Sequence, residues 1–119
     1  MSHPTTLIVQ RWFAAFNAHA LEDLLDLYAE HAEHGSPKLR ALQPGTDGLI
    51  KGKTALRAWW ADAFQRLPSL SYEVLHVIAD DHRAFMEYLR HVDGEPDLRV
   101  GEVLVIENGL IVASRVFHG

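Results

Sequence analysis

Histidine is the residue type that most suggests chemistry in this sequence. The chain contains eight histidines and no cysteine. Imidazole is therefore available for proton transfer near neutral pH, whereas thiolate catalysis and thiolate metal sites are excluded. His34 and Ser36 lie two residues apart in a segment predicted to be extended, so their side chains project to the same side, and His118 ends the last predicted strand. These three are our candidate catalytic residues, with an imidazole as general base and a hydroxyl as an orienting group.

Other interpretations of the same residues stay open. His34 could lie on an exposed rim, and His118 could belong to a frayed chain end. The acidic and histidine residues between positions 30 and 34 have a spacing that suggests metal ligands. They fall where a helix is predicted to end, however, and a solvated polar helix terminus is the favoured interpretation. We therefore expect no bound metal and no cofactor.

The composition is that of an ordinary globular protein. With 119 residues, 48% of them hydrophobic, the chain is long enough for one domain with a hydrophobic core. A formal net charge of −5 argues against nucleic-acid binding, which needs clustered lysine and arginine. The sequence has no apolar run of membrane-spanning length and no signal-peptide pattern at its start. We expect no nucleic-acid or membrane partner, and a cytoplasmic location, with which the absence of cysteine is compatible.

Helices followed by strands must position the candidate residues. Apolar side chains at helical spacing predict three helices, over about residues 5–17, 21–32 and 53–67. A short strand over 33–36 and a long loop to residue 51 separate the second helix from the third. Alternating patterns then predict strands over 72–79, 84–92, 98–107 and 110–118. This order indicates an α+β fold, with the helices on one face of an antiparallel sheet.

The last two predicted strands form the clearest local element, a β-hairpin. Asn108-Gly109 separates two apolar runs, and both residues tolerate the positive φ of a type I′ turn. An uninterrupted ladder then places Glu107 opposite Leu110 and Glu102 opposite Arg115. One face carries Glu102, Leu104, Ile106, Ile111, Ala113, Arg115 and Phe117. The other face carries Val103, Val105, Val112, Ser114, Val116 and His118.

Both faces of this hairpin are largely apolar, so both must be covered. Three helices can cover only one face of a sheet. We therefore expect the face with Leu104 and Phe117 to form the interface of a homodimer, because an uncovered apolar patch marks an interface. Glu102 and Arg115 would form a cross-strand ion pair on that outer face.

Four segments carry a resemblance to a known family: Val9-Gln-Arg-Trp-Phe-Ala-Ala-Phe-Asn17, residues 24–32 with Pro37, residues 52–60 and residues 108–117. In these segments the chain resembles the nuclear transport factor 2-like superfamily, and within it the SnoaL-like and ketosteroid isomerase-like proteins. The resemblance implies a single domain over 1–119. It also implies a cone-shaped curved antiparallel sheet wrapped around three N-terminal helices, an internal pocket, and dimers joined through the outer face of the sheet. Together with the predicted inner face of the hairpin, the resemblance implies these pocket residues: Trp12, Phe16, Tyr28, Trp59, Met86, Tyr88, Arg90, Val103, Ser114 and Val116.

The catalytic positions of the family can be compared with this chain. The isomerases use a carboxylate base before a proline, a first-helix tyrosine and a protonated acid in the sheet. The base position corresponds to Ser36 and the tyrosine position to Trp12. The acid position corresponds to Val103 if the hairpin alternates regularly, or to Glu102 if the strand slips by one residue. We adopt the regular alternation, which leaves all three roles missing or doubtful, so that the chain is not a ketosteroid isomerase by its residues.

The cyclase-like relatives suggest a second comparison. Their acid/base aspartate on the last strand corresponds to Val116, and His118 shares its face. An inward Arg90 would select an anionic or carbonyl-bearing ligand. We expect a protein that binds a small, mostly apolar, oxygen-bearing metabolite and catalyses proton transfer of the isomerase or cyclase type. The alternative is a non-catalytic ligand-binding or accessory domain that has lost the acid/base residues.

Overall fold

The fold combines helices with one six-stranded sheet, which has one strand more than the sequence predicts. A computed structural model of the protein describes residues 4–118. Its helices are α1 (Pro4–Ala18), α2 (Leu21–Leu25), α3 (Pro37–Leu42) and α4 (Lys53–Arg66), with a short 3-10 turn at Pro44–Thr46. Its strands are β1 (Tyr28–Gly35), β2 (Leu49–Lys51), β3 (Ser71–Ala79), β4 (Arg83–His91), β5 (Leu98–Glu107) and β6 (Leu110–His118). The strand order is β2-β1-β6-β5-β4-β3, and the α+β class is confirmed.

The second predicted helix is much shorter than expected. It ends at Leu25, and β1 begins at Tyr28. The buried side chains of Leu24, Leu25 and Tyr28 have helical spacing, but the same spacing also suits a short helix, a turn and a strand. The strand forms because β6 pairs with it in parallel, with Tyr28 opposite Ile111, while the other strand pairs in the sheet are antiparallel. A tertiary pairing therefore overrides the local helical pattern.

The predicted long loop after β1 is largely ordered. Ser36 is the N-cap of α3: its Oγ accepts a hydrogen bond from the Leu39 backbone N–H at 3.0 Å, and Pro37 occupies the first helical turn. Strand β2 then pairs antiparallel with β1, with Gly35 opposite Leu49. This segment closes one end of the sheet and carries Lys38 and Leu42 to the opening of the cavity described below.

Two long helices fill the concave face of the sheet. Helix α1 packs against β3 and β4, and α4 packs against β1 and β2. The buried face of α1 repeats at helical spacing through Ile8, Trp12 and Phe16, and Trp12 is only 1% exposed. Burying an aromatic side chain of this size contributes about 1.5–3 kcal/mol, so this face secures α1 to the sheet. No helix within residues 4–118 is both long and apolar enough to cross a lipid bilayer.

The final hairpin has the expected turn, but its ladder is interrupted. Asn108 (φ 52°) and Gly109 (φ 77°) adopt the positive φ of the type I′ turn, and Glu107 pairs with Leu110. Ile106 pairs with Ile111, but the next pair is Val105 with Ala113, so Val112 is an extra residue in β6. Such a β-bulge reverses the relation between the faces of the two strands from that point onward.

This bulge corrects the predicted register of the site. Glu102 lies opposite Val116 rather than Arg115, and its side chain points to the inner face, where it is 1% exposed. Val103, predicted to line the pocket, lies opposite Arg115 on the outer face. The expected ion pair of Glu102 with Arg115 is therefore wrong; the Arg115 guanidinium lies 3.8 Å from Glu33 of β1 instead.

The bulge also changes which apolar residues face outward. Leu104, Ile106 and Ile111, predicted on the outer face, are buried on the inner one. The outer face still carries exposed apolar side chains, because Phe85 and Phe117 are 41% and 56% exposed and Ile78 is 71% exposed.

Candidate functional site

A cavity of about 300 Å³ opens between the inner face of the sheet, α3 and α4. A volume of this size suits a small organic molecule. Its apolar wall is formed by Phe16, Ala41, Leu42, Trp59, Trp60, Ala63, Leu67, Leu70, Val100 and Val116. Its polar groups come from His34, Ser36, Lys38, Arg66, Tyr72, Tyr88, Arg90, Glu95, Glu102 and His118. The cavity is thus mostly apolar, with polar groups placed at particular points.

Glu102 is the most unusual of these polar groups. Its Oε1 accepts a hydrogen bond from the Tyr88 hydroxyl at 2.7 Å, whereas its buried Oε2 has no hydrogen-bond partner within residues 4–118. Burial raises the pKa of Glu102 from 4.5 to about 8, and the bond from Tyr88 offsets only part of that rise. Glu102 is therefore mainly uncharged at neutral pH. With Oε1 accepting from Tyr88, we assign the carboxyl proton to Oε2, which is then a buried O–H donor without an acceptor among residues 4–118.

A chain of hydrogen bonds leads from α1 to His34. The Trp12 indole N–H donates to the Tyr28 hydroxyl at 3.1 Å, the Tyr28 hydroxyl donates to Ser114 Oγ at 3.3 Å, and Ser114 Oγ lies 2.7 Å from His34 Nδ1. An indole nitrogen can only donate, so the direction of the chain is set at Trp12. Every hydroxyl proton then finds an acceptor only if Ser114 donates to Nδ1. We assign His34 the neutral tautomer that carries its proton on Nε2.

His34 is therefore not the rim residue that one interpretation of the sequence allowed. It is 4% exposed, and its ring packs against Trp60 with 5.3 Å between the ring centroids. Burial lowers the pKa of His34 from 6.5 to about 4. A neutral imidazole with Nδ1 occupied and Nε2–H free is a hydrogen-bond donor, and it is a weak base.

The mouth of the cavity is formed by longer polar side chains. Arg90 lies on the inner face of β4, opposite Leu98, and His118 ends β6 on the same face, opposite Val100. Partial burial, with smaller contributions from Lys38 and Arg90, lowers the pKa of His118. His118 is therefore neutral at physiological pH and is a free imidazole at the opening.

The candidate residues from the sequence fall into three groups. Eight of them line the cavity: Phe16, His34, Ser36, Trp59, Tyr88, Arg90, Val116 and His118. Four are buried behind its wall and do not line it: Trp12, Tyr28, Met86 and Ser114. Val103 lies outside the cavity altogether, because the bulge at Val112 puts it on the outer face of the sheet. The oxygen of Ser36 is used in capping α3, which limits its part in chemistry.

Sequence reasoning missed several residues of the site. Glu102 was weighed and rejected because regular alternation placed it outside. Tyr72, which lines the cavity opposite Arg90 on β3, carried an alternating-strand signal but was not selected. Lys38 and Glu95 lie in segments predicted to be loops, where no periodic pattern indicates a direction. Only the assembled tertiary structure brings all four to the cavity.

Chemically, the site can hold an oxygen atom and exchange a proton. It has an O–H donor at Glu102, an N–H donor at His34 and a neutral imidazole at His118. Within residues 4–118 no group of three or more metal-binding side chains comes together, and the acidic and histidine residues between positions 30 and 34 form no such cluster. The residues therefore suit acid/base chemistry on a small organic molecule.

These features define a class of protein: a small α+β domain whose curved sheet encloses a mostly apolar pocket beside two long helices. The model of the SnoaL-like domain family matches residues 9–114. The chain therefore belongs to the SnoaL-like family, and the resemblance noted from the sequence is confirmed. Among curated proteins, none matches this sequence.

Solved structures support the same fold. A SnoaL-like protein of unknown function from Burkholderia thailandensis superposes with a TM-score of 0.85 at 23% identity, over 98% of this chain and 93% of the other. A candidate ketosteroid isomerase from Kribbella flavida gives a TM-score of 0.79 at 20% identity, over 98% and 78%. A candidate polyketide cyclase from Sinorhizobium meliloti gives 0.78 at 18% identity, over 92% and 93%. At these identities the similarity establishes the fold alone.

Proposed function

We propose that this protein binds a small, mostly apolar molecule through a carbonyl oxygen and catalyses proton transfer at the carbon next to it. The observation that carries this proposal is the buried Oε2 of Glu102, which has no hydrogen-bond partner among residues 4–118 and belongs to a residue that lines the cavity. A buried polar atom without a partner is unfavourable by about 1–3 kcal/mol, and a ligand oxygen at hydrogen-bond distance would remove that penalty. The uncharged carboxyl favours a neutral acceptor such as a ketone.

The two donors of the site would act on the same ligand group. A carbonyl oxygen gains negative charge as the adjacent carbon loses a proton. Hydrogen bonds from Glu102 Oε2–H and His34 Nε2–H would therefore be stronger in the transition state than in the bound ketone, and only such differential binding accelerates a reaction. Tyr88 would hold the carboxyl group in place through its bond to Oε1.

His118 is the group best placed to remove the proton. It pairs with Val100, while Glu102 pairs with Val116, so His118 and Glu102 are diagonal neighbours on the inner face. Diagonal neighbours have α carbons about 7–8 Å apart, so both side chains can contact the same ligand. In this mechanism His118 is the general base, and the roles first considered for His34 and Ser36 become donation and helix capping.

A second candidate function is ligand binding without a reaction. It is favoured by Ser36, which precedes Pro37. In the isomerase-like relatives this position has a carboxylate base, whereas here it has a hydroxyl group that already accepts a hydrogen bond from the Leu39 N–H. In that case the protein would bind the same class of molecule, and His118 would only contribute to the polar mouth of the cavity.

One experiment separates the two functions. Butyrophenone and butylbenzene differ by the ketone oxygen, and their binding can be compared by ligand-observed NMR. We expect a clear preference for the ketone, which Glu102→Leu abolishes. Exchange of the α-protons of butyrophenone in D2O then reports catalysis. It should proceed with the wild type and fall roughly 100-fold in Glu102→Leu, the effect of losing one oxyanion donor. Glu107→Gln at the hairpin tip is the control.

Ketone binding without exchange would leave only the binding function. If butylbenzene bound as well as butyrophenone, Glu102 would not be the contact that selects the ligand, and the proposal would be wrong. His118→Ala should slow exchange while preserving ketone binding, because it removes the base and keeps both donors.

The expected homodimer is also proposed here, on the outer face of the sheet. The exposed apolar side chains of Ile78, Phe85 and Phe117 support it. The Phe85 ring lies directly over Gly101, where an added Cβ would be 3.1 Å from a ring carbon. Phe85 is therefore held flat against the sheet, a shape that suits packing against a second sheet. The cysteine-free composition is the reason for still expecting a cytoplasmic location.

A further inference from the structure

At the mouth of the cavity, the charge of a largely buried arginine is balanced by a carboxylate from a solvent-exposed turn. The Arg90 side chain is only 12% exposed, and its Nη1 donates to Glu95 Oε1 at 3.0 Å. Glu95 belongs to the connection between β4 and β5, and its side chain is 43% exposed. A largely buried guanidinium is thus paired with a carboxylate that reaches it from a solvated turn.

A second cation lies close to the same carboxylate. Lys38 lines the cavity from α3, and within residues 4–118 no carboxylate lies within ion-pair distance of its ammonium group. The pKa of Glu95 is lowered, first by the bond from Arg90 and further by its charge, with a contribution from Lys38. Arg90 and Lys38 together therefore carry one positive charge more than Glu95 balances.

The charge is distributed unevenly along the cavity. Its deep end is neutral, because Glu102 and His34 are both uncharged at physiological pH. The third cation that lines it, Arg66, is already paired with Asp62 at 2.6 Å. The excess positive charge is therefore confined to the mouth around Arg90 and Lys38. A guanidinium binds a carboxylate with two parallel hydrogen bonds, so this position suits an anionic ligand group.

We propose that Glu95 occupies an anion subsite in place of a ligand carboxylate, and that the natural ligands are apolar oxo acids. Their carbonyl oxygen would lie at Glu102 and their carboxylate between Arg90 and Lys38. A bound carboxylate displaces Glu95 into solvent, where that side chain is already partly exposed. This inference rests on the proposed function, because it assumes that the ligand carbonyl lies at Glu102.

The spacing of the two subsites sets the probe. Arg90 and Glu102 face the cavity at positions four residues apart along the β4–β5 ladder, since Met86 pairs with Glu102 and Arg90 with Leu98. That separation is about 13 Å along the strands, so probes of two lengths are compared. The probes are 4-oxo-4-phenylbutanoate and the longer 6-oxo-6-phenylhexanoate, their methyl esters, and butyrophenone, which lacks the carboxylate.

The test measures the affinity of each probe by calorimetry for the wild type and three variants. We expect the better-fitting acid to bind the wild type about tenfold more tightly than its ester. Arg90→Gln and Lys38→Gln should each reduce this preference, measured as the ratio of the affinities for the acid and its ester. Glu95→Gln should tighten acid binding by roughly threefold to fivefold, the strength of a half-exposed ion pair, without affecting the ester.

The matched controls come from the opposite face of the sheet. Arg99 and Glu87 form an outer-face pair with the same 3.0 Å separation as Arg90 and Glu95. Arg99→Gln and Glu87→Gln should leave every probe affinity unchanged. Increased salt should weaken binding of the acids and not that of the esters, because only the acids use the charged subsite.

Two negative results have different meanings. If the ketones and esters bind but neither acid binds more tightly, in the wild type or in Glu95→Gln, the anion subsite is refuted and the proposed function stands. If none of the probes binds, the proposed function and the anion subsite are refuted together. Lys38→Gln is a surface change that leaves folding intact, so a loss of acid preference in it reports on binding.

Discussion

Replacing Glu102 by glutamine tests the central feature of the site, which is a carboxyl group kept uncharged by burial. Glutamine is nearly isosteric with protonated glutamate. Its amide oxygen can accept from Tyr88 and its amide N–H can replace the Oε2–H donor. Glu102→Gln therefore keeps the hydrogen bonds of the uncharged form and removes the ability to ionise. Any pH-dependent difference in stability from the wild type then belongs to Glu102.

The expected magnitude follows from the pKa. Folding raises the pKa of Glu102 from 4.5 to about 8, so between these pH values the unfolded chain has lost a proton that the folded chain retains. The wild type therefore loses stability as pH rises through this window, and the loss is complete above pH 8. Over the whole window the loss amounts to about 4–5 kcal/mol.

His34 acts in the opposite direction over part of that range. Its pKa falls from 6.5 to about 4 on folding, so the unfolded chain binds an extra proton between these values and stability rises with pH there. Below about pH 6.5 the two residues partly cancel. His34 is present in both proteins, so its contribution cancels in their difference, and from about pH 6.5 to 8.5 the advantage of Glu102→Gln over the wild type should grow by about 2 kcal/mol.

The assay is urea unfolding followed by tryptophan fluorescence at several pH values and one protein concentration, since a dimer would make stability depend on concentration. The control is Glu107→Gln, because Glu107 is exposed at the hairpin tip. It should follow the wild-type pH curve within about 0.5 kcal/mol. Parallel pH curves for Glu102→Gln and the wild type would mean that Glu102 is charged in the folded protein, and the proposed donor role would be refuted.

Three further perturbations test other parts of the structure. Ser114→Ala leaves the Tyr28 hydroxyl without an acceptor and His34 Nδ1 without a donor, so stability should fall by about 1–3 kcal/mol; nitrogen NMR should show the Nε2–H tautomer in the wild type, and finding the proton on Nδ1 would contradict the relay. Phe117→Glu should yield monomers by analytical ultracentrifugation while the equally polar Leu110→Glu does not; an unchanged oligomeric state in Phe117→Glu would place the interface elsewhere. Deleting Val112 removes the bulge, so either Glu102 on β5 or both Ser114 and Val116 on β6 would turn from the inner face to the outer face. Unfolding should then occur at a clearly lower urea concentration; an unchanged midpoint would show that the bulge does not set the register.

Much of the fold was predictable because the local signals agreed. The Asn108-Gly109 pair has the φ angles that a type I′ turn needs, and the apolar face of α1 has the expected spacing. The order of helices and strands then led to the α+β class, and the family resemblance implied the internal pocket. The inward direction expected for Tyr88 and Arg90 also matches the strand pairing.

The register of the hairpin was not predictable from its own residues. Alternation normally identifies the buried face, but both faces of β5 and β6 are apolar, so neither alternative was disfavoured. The register of β6 against β5 is set at the start of β6. The Ile111 N–H bonds to the Leu27 carbonyl at 2.8 Å, so the start of β6 is shared between β5 and the neighbouring β1 region, and Val112 is left as the extra residue. That competition involves residues more than eighty positions apart in the chain.

The sequence by itself determined the elements that depend on neighbouring residues: the hairpin turn, the stop of α4 before Pro68, strands β3 to β6 and the family-specific segments. Only the tertiary structure decided which carboxyl group enters the cavity, because one bulge residue exchanges the two faces of β5 relative to β6. It also decided that this carboxyl group is uncharged. The pKa of Glu102 depends on the aromatic and aliphatic side chains that exclude water from it, and these come from helices and strands distant in the sequence.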